Sequence, residues 1–219
     1  MSIKISVLTP SIRPEGLEIT RKCLAEQTFK DFEWLVEIGY GKHDLNASYN
    51  RMLKRAKGEL IVSLQDWIKV EPDYLEHFWA AYIEHPDTFW TSPVGKVKEK
   101  DFTGEIKWDW RNHNPENKMC GEISWDRWEI DSGAAPKKAL FDIGGFDEEL
   151  DNFWSSDNVN VGCRADLAGY KFRNLFSNPA LAFDHDAFSE HPFRKDYKPI
   201  FNNIRMDEFR EGLKINYLS

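Results

Sequence analysis

Strand-like and helix-like segments alternate along roughly the first ninety residues, and this alternation constrains the fold more than any other feature of the sequence. Apolar runs at residues 3–8, 32–37, 59–64 and 88–92 predict four short strands. Thr9-Pro10 follows the first run and predicts that the strand ends there. The third run is mostly apolar, as expected of a strand that is covered on both faces.

Helical spacing of apolar residues fills the intervals between these runs. Residues 15–27, 49–56 and 75–82 each show such a spacing. Gly58 stands just past the second segment, where a glycine commonly ends a helix. Pro72 precedes the third segment, in a first turn that tolerates proline. Repeated βα units of this kind predict a parallel sheet with helices on both faces.

The second half of the chain is less regular. Residues 95–130 are polar and rich in tryptophan, and they predict a long excursion over a site, with some two-stranded structure. Regular structure returns at residues 137–143. The patterns beyond predict a helix near 157–168, short strands near 170–175 and 180–183, and a terminal helix after about residue 198.

Composition narrows the expected partners and compartment. The formal net charge is −8 and the basic clusters are short, which disfavours tight binding to a nucleic-acid backbone. The three cysteines form no CxxC pair, which indicates a reducing compartment. No signal peptide precedes the first strand and no apolar stretch approaches membrane-spanning length, so we expect a cytoplasmic protein.

Polar residues follow three of the predicted strands. In open α/β sheets, ligands bind at the carboxyl ends of strands, where neighbouring loops converge. The residues expected to line this crevice are Thr9, Pro10, Ser11 and Arg13 after the first strand, Glu37 and Lys42 after the second, and Gln65 and Asp66 after the third. The sequence therefore predicts a binding site at one edge of the sheet.

Several motifs follow one another in a specific order from about residue 3 to about residue 175. They are the strand and loop at residues 7–14, the Gln-Thr-aromatic run at 26–33, Leu64-Gln65-Asp66-Trp67 with the proline-led helix start at 72–76, the segments at 133–135 and 139–148, and Asp157-Asn158-Val159-Asn160 with Arg164 and Ala168-Gly169-Tyr170. Each motif alone is weak, but together they resemble the family 2 glycosyltransferases of the GT-A fold.

The resemblance implies an α/β, GT-A-like fold with a mostly parallel central sheet flanked by helices. It implies a nucleotide-sugar-binding and catalytic domain at residues 1–185, with a small C-terminal extension at 186–219 packed on it. The implied activity moves a sugar from a nucleotide-diphosphate sugar, with UDP the expected nucleotide, to an acceptor hydroxyl with inversion.

The resemblance also implies a divalent cation and a catalytic base. The family's metal-binding aspartates follow the third strand, where this chain has Asp66 between Gln65 and Trp67. Asp66 and His185 are implied to hold Mn²⁺ or Mg²⁺, since one carboxylate can suffice with phosphate oxygens and waters. Asp157 is implied to take the proton from the acceptor hydroxyl. Without the resemblance, Asp66 also fits a loop cap, Asp157 a helix N-cap, and His185 a surface pair.

Five further residues have two interpretations each. The resemblance implies that Glu37 contacts the base or ribose, although it also fits an exposed carboxylate. Arg13 and Lys42 are candidates to balance diphosphate charge, or to lie on the solvated surface. Gly133 and Ala134 suit a loop that passes close to the sugar, because small side chains let the backbone approach a ligand, but they also suit a tight turn.

Two other functions stay open from the sequence. A non-catalytic nucleotide or sugar binder on the same fold is one, because Gln65, Trp67 and Asn158 each replace an expected acid. A nucleotidyltransferase, which can share the sheet topology, is the other. The acceptor is not identified by any motif.

Overall fold

The computed structural model describes residues 2–39, 44–108, 121–151, 157–184 and 206–219. The strands are β1 (Ile5–Ser11), β2 (Phe32–Ile38), β3 (Leu60–Ser63), β4 (Ile68–Val70), β5 (Thr88–Thr91), β6 (Val94–Val97), β7 (Lys107–Trp108), β8 (Gly133–Pro136), β9 (Lys171–Asn174) and β10 (Ala180–Phe183). The helices are α1 (Leu17–Glu26), α2 (Leu45–Arg55), α3 (Tyr74–Glu84), α4 (Lys137–Asp142), α5 (Asp157–Leu167) and α6 (Met206–Arg210).

A six-stranded sheet with the order β2-β1-β3-β8-β5-β9 forms the centre of the protein. β1 is parallel to β2 and β3, and β5 is parallel to β9. β8 is antiparallel to both of its neighbours, β3 and β5, so every strand except β8 runs in the same direction. The mostly parallel central sheet predicted from the sequence is therefore confirmed.

Two apolar cores lie on the two faces of this sheet. Because neighbouring side chains of a strand point to opposite faces, each inner strand contributes to both cores. Helices α2, α4 and α5 cover one face and helices α1 and α3 cover the other. Paired examples from β1, β3 and β5 are Leu8, Ile61 and Phe89 on the first face, and Val7, Val62 and Trp90 on the second.

A second sheet, with the order β4-β10-β6-β7, accounts for part of the predicted tryptophan-rich excursion. β6 and β7 pair antiparallel, which is the two-stranded structure expected there. β10 joins this sheet between β4 and β6, so the chain after β9 returns to the segment that follows β3. Within the described part of the chain, every helix is too short or too polar to cross a bilayer.

The sequence predicted that the first strand ends at Thr9-Pro10, but β1 continues to Ser11. β3 pairs with β1 only as far as Leu8, which lies opposite Ser63. Beyond Leu8, β1 therefore has a partner strand on one side only, namely β2. A proline, which lacks an N–H group, is tolerated in a strand that has such an open side.

The prediction that Gly58 ends the second helix is also wrong. α2 ends at Arg55 with Ala56 as its C-cap residue. A Cβ atom on Gly58 would lie 2.4 Å from the backbone nitrogen of Ser6 and 2.5 Å from the carbonyl carbon of Ile5. Glycine is therefore required here because the chain crosses β1 at close range.

Residues 133–135 form a strand rather than the predicted loop. The segment is the whole of β8 apart from Pro136, and it is wedged between β3 and β5. A Cβ atom on Gly133 would lie 2.3 Å from the carbonyl oxygen of Glu129. The small residues therefore let protein backbone approach, and Ala134 is 1% exposed in the middle of the sheet.

The C-terminal residues 206–219 pack against the main body of the protein. The Tyr217 N–H donates to the carbonyl of Gly144 at 2.9 Å, and Leu218 joins the core beside α2 and α4. On α5, the guanidinium of Arg164 lies 5.3 Å from the ring centroid of Phe209 in α6. The predicted domain boundary after residue 185 lies outside the described residues.

Candidate active site

The carboxyl ends of β1, β2, β3, β5 and β9 lie along one edge of the central sheet, which we call the carboxyl edge. The antiparallel strand β8 begins at this edge, because Ala134 pairs with Val62 and Gly133 pairs with Thr91. Loops that leave five strands and the loop that enters the sixth therefore meet there. Ligands of α/β proteins bind in such a position.

Asp66 follows β3 at the carboxyl edge and is bound by two residues that follow β1. The Oγ atom of Ser11 donates to Oδ2 of Asp66 at 2.6 Å, and Nη2 of Arg13 lies 2.5 Å from Oδ1. The Arg13 N–H donates in turn to Ser11 Oγ at 3.0 Å. The structure therefore unites three predicted donor-binding residues in one polar cluster, although Asp66 lies 55 positions after Ser11 and 53 after Arg13.

The two charged members of this cluster differ in exposure. The Asp66 side chain is 3% exposed, whereas the Arg13 side chain is 31% exposed. Nε of Arg13 is buried and has no hydrogen-bond partner among the residues that the structure describes. Buried donors are nearly always paired in native proteins, so an unpaired one requires an explanation.

Trp67 occupies the position next to Asp66 where the resemblance predicts a further acid. Its φ angle of 59° lies in the left-handed region, which non-glycine residues rarely adopt. The ring packs on Phe183 with centroids 5.0 Å apart, and Nζ of Lys100 lies 5.1 Å from the Trp67 centroid. Gly16 leaves the space for the indole, since a Cβ atom there would lie 2.4 Å from Cδ1 of Trp67. Trp67 as a whole is 9% exposed, so its ring packs within the loop.

Gln65 connects this loop to a carboxylate that the sequence analysis missed. Its Nε2 atom donates to Oδ1 of Asp131 at 2.8 Å, and its backbone N–H donates to the Asp131 carbonyl at 3.3 Å. Asp131 is exposed at the carboxyl edge, two residues before Gly133. An acid just before a strand was the available signal, but it becomes meaningful only once β8 is known to begin at this edge.

Helix α5 begins at Asp157, the predicted catalytic base, of which the structure describes the backbone. The next residue is Asn158, where the resemblance predicts a second acid. Its Nδ2 atom donates to the Trp128 carbonyl at 3.0 Å and to Oε2 of Glu129 at 3.3 Å. Asn158 is 5% exposed, so its amide fixes the first turn of α5 to the segment before β8.

These contacts bring the start of α5 and Asp66 to the same edge of the sheet. Asn158, in the first turn of α5, donates to Glu129. Asp131, two residues after Glu129, accepts from Gln65, which is the neighbour of Asp66. Glu129 is itself a buried carboxylate, 8% exposed, that the sequence analysis did not single out. The carboxyl edge thus carries acids from three separate segments of the chain.

Three of the predicted donor-binding residues have side chains that are buried inside the sheet. Thr9 is fully buried, and its hydroxyl donates to the Leu64 carbonyl at 2.7 Å and accepts from Nε1 of Trp34 at 2.8 Å. Pro10 is buried within β1, and Ala134 is buried within β8. All three lie inside the sheet, so their side chains support the edge rather than face a ligand.

Glu37 lies at the end of β2, as predicted, but two arginines of α2 already bind it. Oε1 accepts from Nη2 of Arg55 at 2.6 Å, and Oε2 accepts from Nε of Arg51 at 3.2 Å. Its side chain is 20% exposed. The two remaining predicted residues, Lys42 and His185, lie outside the described residues.

Asp151 caps helix α2 from a distant part of the chain. Its carboxylate accepts from the backbone N–H of Asn46 at 2.5 Å and of Ala47 at 3.1 Å. Burial raises the pKa of Asp151 from 3.8 to about 6; the N–H donors oppose this rise, and the charge of Asp44 adds to it. The helix that follows Lys42 in the chain is thereby tied to the segment that leads to Asp157.

The raised pKa of Asp151 predicts a pH-dependent stability. The folded state holds this proton more tightly than the unfolded chain, so the associated stability is present below pH 3.8 and is lost as the pH rises through about 6. Between about pH 4.5 and about pH 7.5, the wild type should lose on the order of 1–2 kcal/mol of unfolding free energy relative to Asp151→Asn. Urea denaturation of both proteins measures this, and a difference that is constant with pH would contradict it.

Of the two predicted cation ligands, Asp66 and His185, only Asp66 lies within the described residues. Mg²⁺ and Mn²⁺ prefer several oxygen ligands, but both oxygens of Asp66 already accept hydrogen bonds. In the described ranges, no group of three or more His, Cys, Asp or Glu side chains could hold a metal ion. Because His185 lies outside those ranges, the cation stays a prediction.

Crystal structures of TarS from S. aureus are similar to this chain. The structure of TarS 1-349 in complex with UDP-GlcNAc has a TM-score of 0.64 and 17% identity, over 83% of this chain and 59% of that one. The complex with UDP has a TM-score of 0.63 and 18% identity, over 82% and 60%. This chain therefore spans about three fifths of the length of TarS 1-349. No protein-family model matches it, and neither does any curated protein. The likeness confirms the predicted GT-A-like fold.

Proposed function

We propose that this chain is an inverting, family 2-like glycosyltransferase that moves a sugar from a UDP-sugar to an acceptor hydroxyl. The observation that carries the proposal is the polar cluster of Ser11, Arg13 and Asp66 at the carboxyl edge of a GT-A-like sheet. TarS, whose structure is similar, was crystallised with UDP-GlcNAc and with UDP, which supports a nucleotide-sugar donor.

In the proposed reaction the acceptor oxygen attacks the anomeric carbon of the donor sugar. The bond from that carbon to the β-phosphate oxygen breaks, and its electron pair leaves with UDP. Asp157 accepts the proton of the acceptor hydroxyl, since a single displacement needs a base on the face opposite the leaving group. Support comes from the position of Asp157 at the start of α5. The Asn158 side chain in the first turn of this helix donates a hydrogen bond to Glu129 at the carboxyl edge.

Binding of a donor should stabilise the folded protein. A ligand at about one hundred times its Kd adds about 2.7 kcal/mol to the unfolding free energy, or about 5 °C or more for a chain of this size. We therefore expect one UDP-sugar in a panel of UDP- and GDP-sugars to raise Tm by that amount. The selected donor should then release free UDP. A panel with no shift at all, or release of pyrophosphate instead of UDP, would contradict the proposal.

A non-catalytic nucleotide binder is the second candidate, because two of the residues that stand in place of expected acids have structural roles here. Trp67 is buried against Phe183, and Asn158 is hydrogen-bonded to the Trp128 carbonyl. Such a binder would show the same Tm shift without release of UDP, so the two measurements together separate the candidates.

A further inference from the structure

We propose that the guanidinium of Arg13, rather than a divalent cation, neutralises the diphosphate of the donor, an inference that rests on the function proposed above. The metal-binding position of the GT-A fold would then hold an arginine–aspartate pair, and donor binding would not require Mn²⁺ or Mg²⁺. Three observations on the described residues lead to this assignment.

The first observation is that the Asp66 carboxylate is nearly buried and already paired with Arg13 and Ser11. Its Oδ1 atom is 2.5 Å from Nη2 of Arg13, and its Oδ2 atom accepts from Ser11 at 2.6 Å. The side chain is 3% exposed. A cation bound to this nearly buried carboxylate would lie beside the positive charge of Arg13. Like charges in such a partly buried position repel strongly.

The second observation is that the residues next to Asp66 offer no further anionic ligand. Gln65 has its amide nitrogen on Oδ1 of Asp131 at 2.8 Å. The ring of Trp67 is buried, with Nζ of Lys100 5.1 Å from its centroid. A lysine above this ring adds positive charge to the loop where the family gathers negative charge. Beside Trp67, Lys100 thus supplies a positive charge that an anionic ligand would match.

The third observation concerns the donors that Arg13 still has to offer. A guanidinium has five N–H donors in a planar fork that matches the oxygens of a phosphate. Nη2 of Arg13 is used on Asp66, but Nε is buried and has no hydrogen-bond partner among the described residues. The side chain as a whole is 31% exposed. Arg13 is therefore anchored by Asp66 through Nη2, and the exposed part of its side chain can receive an anion.

The same arrangement supplies the charge stabilisation that the leaving group needs. When the sugar is transferred, the electron pair of the broken bond moves to an oxygen of the β-phosphate. A positively charged side chain that is already fixed in place stabilises this developing charge without reorganising during the reaction. Asp66 and Ser11 hold Arg13 in place, so Asp66 acts as a positioning residue and Arg13 as the group that contacts the donor.

The test is isothermal titration of the full chain with UDP, in EDTA and again in Mn²⁺. We expect wild-type affinity in EDTA to be within about threefold of that in Mn²⁺, and Arg13→Gln to weaken binding about tenfold or more in both buffers. Arg13→Lys, which keeps the charge but not the fork, should lose less. Arg21→Gln is the matched control, because Arg21 pairs with Glu18 on the exposed face of α1, and its affinity should equal the wild type. Thermal unfolding confirms that each variant folds.

Asp66→Asn and a direct search for bound metal complete the test. Because Asp66 acts through Arg13, Asp66→Asn should weaken UDP binding equally in EDTA and in Mn²⁺, and electron paramagnetic resonance should find no more bound Mn²⁺ with protein and UDP than with UDP alone. Wild-type binding that needs Mn²⁺, a loss in Asp66→Asn confined to the Mn²⁺ buffer, or one Mn²⁺ held per chain would each overturn the inference and leave the proposed function standing. Failure of UDP to bind in either buffer would overturn the proposed function as well.

Discussion

Replacing Asp157 with asparagine is expected to lower the rate of UDP release from the selected donor by about 10³-fold, within the range for loss of a general base. The amide is nearly the same size as the carboxylate but cannot accept the proton of the attacking hydroxyl. The affinity for UDP should stay within about threefold of the wild type, because the base acts on the acceptor and not on the donor. Steady-state UDP release and isothermal titration measure the two quantities.

Asp166→Asn is the matched control for this variant. Asp166 lies on the same helix, α5, but it is exposed near the other end of the helix. Its replacement should leave both UDP release and UDP affinity unchanged. An Asp157→Asn enzyme that keeps more than about one tenth of the wild-type rate would exclude Asp157 as the base, since general bases contribute about 10²-fold or more. Glu129 and Asp131 would then be the next carboxylates to replace.

Replacing Gly144 with alanine is expected to destabilise the fold by about 2–4 kcal/mol, the combined effect of left-handed strain and overpacking. Gly144 has a φ angle of 81°, and a Cβ atom there would lie 1.9 Å from the carbonyl oxygen of Ile215. The turn would have to release the C-terminal segment, whose Tyr217 N–H donates to the Gly144 carbonyl. The unfolding free energy from urea denaturation measures the loss.

Gly169→Ala separates the strain of the backbone from the crowding of an added Cβ atom. Gly169 has a similar φ angle of 88°, but a Cβ atom there would have nothing within 4 Å. Its replacement should therefore cost only the left-handed penalty, about 1–2 kcal/mol. Equal losses in Gly144→Ala and Gly169→Ala would show that crowding of the new Cβ atom against the Ile215 carbonyl does not add to the loss of stability.

Local sequence pattern was sufficient to predict the parallel part of the sheet but not β8. The apolar runs that became β1, β2, β3 and β5 are rich in β-branched or aromatic residues, which favour strands wherever they lie. Gly133, Ala134 and Ala135 have little strand propensity of their own. They form a strand because Val62 and Trp90 lie on either side of Ala134. That pairing joins residues far apart in sequence, and no local pattern encodes it.

In the candidate site, too, the sequence predicted where residues lie but not which other residues they bind. The strand-end rule correctly brought Ser11, Arg13 and Asp66 to one edge, since it depends only on where strands stop. It did not reveal that Arg13 would bind Asp66, because that contact spans 53 residues. It also did not reveal that the arginines of α2 would bind Glu37, which requires the helix to lie against β2.

A crystal structure of the full chain with UDP tests the central claim most directly. We expect density for the nucleotide at the carboxyl edge, with phosphate oxygens about 3 Å from nitrogens of Arg13, a hydrogen-bonding distance. UDP bound at the opposite edge of the sheet, or a diphosphate that Arg13 does not contact, would contradict it.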